Sequence, residues 1–179
     1  MIYYIADLHL GHANVIKHDD RPFNSVEEMD NYLIDSWNSR VTDKDTVYIV
    51  GDFCYRSSNT PDYYLKQLKG HKILISGNHD HHLLKNKVAC SYFDDIQSIK
   101  VVNDNKRNIV LCHYPLAEWN GFFRDSYHIY GHIHNNKNQA YQFMKQFDNA
   151  LNAGCMLNNY MPVTFDELVI NNKLFKEGD

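Results

Sequence analysis

Apolar residues in this chain fall into short runs, and again and again a run ends on a small polar cluster. Residues 2 to 6 (IYYIA) predict a strand that stops at Asp7. After a polar loop through Arg21-Pro22-Phe23, Ser25 opens a helix, with Glu28 three residues on completing a capping box. Met29, Leu33 and Trp37 recur at a spacing of four, with Val26 and Ile34 widening the apolar face, so the helix runs to about Arg40. Thr46 to Val50 is a β-branched run bounded by Asp45 and Gly51, the pattern of a buried strand. Pro61 suits the first turn of a second helix that stops at Gly70, and Lys72 to Ser76 is the next strand. Further on, residues 96–102 and 108–112 predict two strands joined by a turn, followed by strands at Tyr127–Tyr130, Tyr141–Phe143 and Ala150–Ala153. Thr164 with Glu167 starts a short helical turn, although Leu168 to Ile170 fits a strand equally well. Strand and helix alternate through the first half and strands gather in the second. This is an α/β pattern, with two facing sheets and helices outside.

Composition narrows this reading. At 179 residues, the chain is the size of one ordinary domain, taken as residues 1–179, and 44% hydrophobic with 22% charged residues fits a globular protein. No stretch approaches the roughly 20 apolar residues of a membrane span. The N-terminal apolar run has no basic leader and reaches Asp7 at once, so it reads as a strand and not a signal peptide. The four cysteines form no CxxC pair and are expected as reduced thiols in a cytoplasmic protein. A net charge of -4 argues against a broad nucleic-acid surface, but it says little about a site where metal ions would set the local sign.

Histidine is the unusual entry in the composition. Of eleven, five lie in polar clusters at strand ends: Asp7-Leu8-His9, Gly51-Asp52, Gly77-Asn78-His79-Asp80, His113 and Gly131-His132-Ile133-His134. In α/β folds ligands bind beyond the carboxyl ends of strands, so these clusters can converge in space. If the backbone stays extended, the i,i+2 spacing turns Asp7 and His9 to one side, and likewise His132 and His134. Imidazole, carboxylate and amide oxygen suit Mn, Fe, Zn or Ni, and a carboxylate can bridge two ions about 3.5 to 4 Å apart.

The clusters, in the order DxH, GD, GNHD, H and GHxH from Asp7 to His134, resemble the calcineurin-like metallophosphoesterase superfamily. The resemblance implies a four-layer sandwich of two mixed sheets with flanking helices. It also implies two divalent ions, with manganese the first choice and Fe, Zn or Ni as alternatives. Asp7, His9 and His134 would hold one ion and Asn78, His113 and His132 the other, with Asp52 bridging them. His79 would orient the phosphate and protonate the leaving oxygen, and Asp80 would be its partner, or else the N-cap of a helix over His81–Lys87. The implied reaction is in-line attack on phosphorus by a hydroxide held between the ions.

The resemblance also has a gap. Protein phosphatases of the superfamily carry GDxxDRG, whereas here the run is Gly51-Asp52-Phe53-Cys54-Tyr55-Arg56-Ser57, which lacks the second aspartate. The expected substrate is therefore a small phosphomonoester or phosphodiester, with a nucleotide among the candidates. The alternatives are a nuclease or cyclic-nucleotide phosphodiesterase, or an inactive metal-binding module. His12, Asn14, Arg21, Arg56, Trp119 and Asn120 are further candidates to contact substrate or support the ligands, with Trp119 able either to stack on a base or to pack on Phe122 or Phe123.

Overall fold

The computed structural model describes residues 1–178. Strands β1 (Ile2–Ile5), β2 (Thr46–Ile49), β3 (His71–Ile75) and β4 (Asp95–Gln97) form one sheet in that order, parallel throughout. Strands β5 (Ile99–Asp104), β6 (Arg107–Cys112), β7 (Tyr127–Tyr130) and β8 (Ala150–Asn152) form a second, in which only the β5–β6 pair is antiparallel. Of the two mixed sheets expected, one is therefore purely parallel.

Period-two alternation sorts the strand side chains into separate layers. Tyr4, Tyr48, Val50, Ile75, Ile109, Leu111, Ile129 and Leu151 meet between the sheets. Their neighbours Tyr3, Ile5, Val47, Ile49 and Leu74 face the other way, onto Met29, Leu33 and Trp37 of helix α2 (Val26–Arg40). On the far side of the second sheet, Val110, Tyr130 and Ala150 pack under Trp119, Tyr141 and Met144. Three apolar layers between four structural layers give the α/β sandwich. β1 is also bonded by the chain that follows β8, with Ala6 N donating to Ala153 O at 2.8 Å and Tyr4 N to Val163 O at 2.8 Å. This seam brings the two sheets together beside the first polar cluster.

Several elements differ from their sequence pattern, each for a physical reason. Helix α1 (Ala13–His18) lies in what reads as a loop, too short for a periodic signal. Helix α3 (Pro61–Leu65) ends before the expected Gly70. His81–Lys87 is not a continuous helix: a 3₁₀ turn at Leu83–Lys85 leads into α4 (Lys87–Cys90), which Asn86 caps. Residues 96–102 are not one strand, because the chain crosses at Ser98 from β4 in one sheet to β5 in the other. Tyr141–Phe143 belongs to helix α5 (Gln139–Met144), capped by Asn138, with Tyr141 and Met144 buried one turn apart. The final segment is a full helix, α6 (Phe165–Glu177), where the Thr164–Glu167 capping box prevails over the β-branched run.

Candidate metal centre and active-site cleft

Each cluster sits just past a strand end. The backbone there is not extended: Asp7, His9, Asp52, His132 and His134 have φ of 58°, 51°, 56°, 71° and 52°. For non-glycine residues this left-handed region costs roughly 1–2 kcal/mol each. The side chains thus converge through tight left-handed turns, which corrects the extended-strand argument. Bonds between the loops hold these turns, with Asp7 N donating to Gly51 O, His9 N to Asp52 O and Gly131 N to His113 O, each at 3.0 Å. Such strain concentrates at functional sites and persists where the surroundings over-determine it.

Asp7, His9, Asp52 and His134 each offer a ligand atom, all within 4.8 Å of one another. His9 Nε2 lies 3.1 Å from His134 Nε2 and 3.6 Å from Asp52 Oδ2, and His134 Nε2 lies 3.7 Å from Asp7 Oδ1. On the other side of Asp52, Oδ2 is 3.4 Å from His113 Nε2. Asn78 Oδ1 is 3.1 Å from His113 Nε2 and 2.9 Å from His132 Nδ1. All seven predicted ligands are therefore brought together, in two groups that meet at Asp52.

The clustered groups shift in opposite directions. Asp7 is fully buried, and burial pushes its carboxyl up to about 6 although His134 and His113 pull it down. Burial would also raise Asp52, but the hydrogen bond from His113 and the charge of His113 outweigh it, so the carboxyl is lowered. His9 is lowered well below the usual imidazole range, chiefly by burial, which leaves it neutral. Burial would lower His113 too, but the hydrogen bond to Asp52 and the charges of Asp7 and Asp52 outweigh it and raise the imidazole to about 9. His134 is likewise raised against burial, by its hydrogen bond to Asp19 and the charge of Asp7. A divalent ion, which requires neutral imidazoles and ionised carboxylates, would displace these protons on binding.

Supporting contacts set the ligand tautomers. His113 Nδ1 donates to Val50 O at 2.9 Å, which turns Nε2 toward the centre. His134 Nδ1 meets Asp19 Oδ1 at 2.7 Å, and Asp19 is paired with Arg21 through Nε at 3.1 Å and Nη2 at 2.9 Å. Arg21 also donates to the carbonyls of Leu8 and Asp7, both at 2.9 Å. Its side chain is 0% exposed, so Arg21 is a buried clamp on the first cluster and not a phosphate contact. Asn152 donates to His134 O at 2.7 Å and is held in turn by Asn172.

Asp80 is likewise corrected. Its carboxylate accepts from the backbone N–H groups of Asp52 (2.9 Å), Phe53 (2.9 Å) and Gly77 (2.8 Å), which ties two ligand loops together. It neither partners the His79 ring nor caps a helix. A hydrogen bond from His79 N to Asp52 Oδ1, at 2.8 Å, places the histidine beside Asp52.

A cleft of about 490 Å³ opens over the first group, and His12, Asn14, Arg56 and His79 line it as expected. Trp119 does not. It is buried against Phe122 at 4.6 Å and bonded to Ser126, and it packs on the outer face of the second sheet. Asn120, on the same loop, is exposed and lies outside the cleft. The sequence reading missed Tyr55 in the cleft and Tyr114, whose ring lies 4.7 Å from that of His132.

A two-sheet sandwich with Asp, His and Asn side chains gathered at its strand ends is the architecture of a candidate metal-binding protein. The comparisons make the assignment specific. The family model for calcineurin-like phosphoesterase matches residues 1–159. An uncharacterised protein of Methanocaldococcus jannaschii is 35% identical over 179 residues, covering 99% of this chain and 92% of that protein. The gene 66 protein of Mycobacterium phage D29 is 29% identical over 129 residues, 64% of this chain and 63% of its own. A crystal structure of a protein of unknown function from Aquifex aeolicus superimposes with a TM-score of 0.73 at 26% identity, covering 93% of this chain and 96% of that one. The chain belongs to the calcineurin-like phosphoesterase family, whose chemistry is metal-dependent phosphoester hydrolysis.

Proposed function

We propose that the protein is a dinuclear phosphohydrolase acting on a small phosphomonoester or phosphodiester. One observation supports this above the others: a single oxygen, Asp52 Oδ2, faces His9 Nε2 at 3.6 Å and His113 Nε2 at 3.4 Å. Asp7, His9 and His134 would hold one ion and Asn78, His113 and His132 the other, with Asp52 shared. When bound, two such ions supply Lewis acidity toward phosphoryl oxygens and activate water. The all-nitrogen and oxygen donor set accepts Mn, Fe, Zn or Ni, and the family resemblance makes manganese the first candidate.

The chain's own residues do the rest. His79, on the cleft wall beside Asp52, donates a proton to the departing oxygen. Arg56 and His12 contact the phosphoryl oxygens or the remainder of the substrate from the same wall. A volume of about 490 Å³ suits a small phosphorylated molecule, a nucleotide among them. No helix among the described residues is long and apolar enough to cross a membrane. The four free thiols accord with the proposed cytoplasmic location.

The test measures metal content and rate side by side on mono- and diesters, for each candidate metal. Asp52→Asn should lose metal and nearly all turnover. His79→Ala should keep its metal and lose roughly 10²- to 10⁴-fold in rate on alkyl esters, whose leaving oxygen needs the proton. Loss of metal from the His79 variant would overturn its assignment, and a metal-loaded parent that releases no phosphate or nitrophenol would overturn the enzyme reading.

A further inference from the structure

The proton donor read above needs a fixed ring orientation, and Asp80 does not provide it. Its oxygens are bonded to backbone N–H groups, and the bond that anchors His79 comes from its own backbone. What meets the imidazole is aromatic. The Tyr55 ring lies 4.0 Å from the His79 ring, centroid to centroid, at an interplanar angle of 48°. Tyr55 also meets His12 at 5.0 Å and 90°, while ligand His9 lies 5.4 Å from His79 and 5.7 Å from His12. Four rings thus close a circuit in which Tyr55 stands opposite the metal ligand.

Tyr55 is itself held. Its backbone N–H donates to Leu10 O at 3.3 Å, Cys54 before it is buried, and the Arg56 guanidinium lies 5.1 Å from its ring centre. Two residues on, Ser57 Oγ pairs with Tyr64 OH at 2.7 Å, and Tyr64 bonds in turn to the buried Asp30. The loop carrying Tyr55 is therefore braced from beneath by α2 and α3, a firm backing for a neighbouring ring. A ring contact can orient an imidazole without engaging either nitrogen, so the donor stays available for a substrate oxygen.

We propose that Tyr55 is the positioning residue of His79, acting through its ring and not its hydroxyl. This rests on His79 as the proton donor. Misplacing a reacting group by about 1 Å can lose on the order of a hundredfold in rate. The loss should depend on the leaving group, because an alkoxide needs the proton whereas nitrophenolate departs without it.

Four metal-loaded forms are to be compared on an alkyl phosphate ester and on nitrophenyl phosphate: the parent, Tyr55→Ala, Tyr55→Phe and His79→Ala. Tyr55→Ala should slow the alkyl ester by up to about a hundredfold and leave the nitrophenyl ester nearly unchanged. Tyr55→Phe should restore the parent's behaviour, and in a His79→Ala background Tyr55→Ala should add no further loss. Metal content and thermal midpoint, followed in parallel, should match the parent. Equal slowing of both esters, a phenylalanine variant that behaves like alanine, or a further loss in the His79→Ala background would overturn the proposal. If His79→Ala alone slows both esters equally, the proton-donor reading fails first, and the experiment distinguishes the two failures.

Discussion

Arg21 shows how a single side chain can serve the centre without touching what binds there. Its guanidinium satisfies two main-chain carbonyls of the first cluster and the carboxylate that orients His134. Removing one partner of a buried ion pair leaves the other charge uncompensated, at a cost of about 3–5 kcal/mol. Arg21→Met should therefore lower stability by about that amount in a denaturant titration. A variant with unchanged stability but a raised KM would instead restore the phosphate-contact reading. His128 gives a second prediction. It is buried, its Nδ1 donates to Val110 O at 3.0 Å, and its Nε2 accepts from Leu116 N at 3.1 Å, an arrangement that requires the neutral ring. Burial lowers it from 6.5 to about 4, outweighing its two backbone carbonyl neighbours. The unfolded chain therefore takes up this proton first as pH falls. The contribution is complete above about pH 6.5 and is lost between there and about pH 4, by up to about 3 kcal/mol. Stability measured across that range for the parent and for His128→Gln should show the variant with the shallower slope.

At the scale of the element, the strand ends matter more than the strands. Gly77 follows β3 where the chain passes between two ligand loops. A Cβ built there would lie 2.3 Å from Asp52 Oδ1 and 2.9 Å from His113 Nε2. At Gly51 a Cβ would meet His113 Nδ1 at 2.1 Å, on a backbone with φ of 89°. These glycines let the second and third clusters approach each other closely. Gly77→Ala should keep the sheets but displace Asp52 or His113, costing about 1–3 kcal/mol and most of the bound metal. Metal analysis together with circular dichroism checks this, and full metal occupancy would show that the loop can yield. The elements misjudged from sequence were settled by packing. Residues 96–102 carry a strand-like pattern throughout, yet the two halves pair in different sheets. Tyr141 and Met144 bury a helical face that three residues of β-like sequence cannot reveal.

In the whole molecule, the proposed donor atoms come from both sheets: Asp7, Asp52 and Asn78 follow β1, β2 and β3, while His113, His132 and His134 follow β6 and β7. An ion held among them joins the two sheets, so binding stabilises the folded state by mass action, about 2.7 kcal/mol at a hundredfold excess over Kd. Chelation should therefore lower the thermal midpoint, and readdition should restore it. Asp52→Asn should remove most of this response, and a midpoint indifferent to metal in the parent would contradict the joining role. The candidate donors were legible in the sequence because ligand chemistry is carried by residue type, and each cluster is marked by the strand before it. The α/β class was legible for a similar reason, since hydrophobic period is a local property. What the sequence did not contain was the partner of each side chain. His134 meets Asp19 across 115 positions, and Asp80 reaches Asp52 across 28. Only the folded chain could decide that Arg21 is enclosed, that Trp119 faces the outer layer and that Tyr55 lies against His79. The left-handed turns belong to the same group: five non-glycine residues hold strained backbone because contacts from distant loops stabilise them there. Sequence by itself determined which atoms can bind and in what order they come, and the tertiary structure decided how they are aimed, because aim depends on contacts that no local pattern encodes.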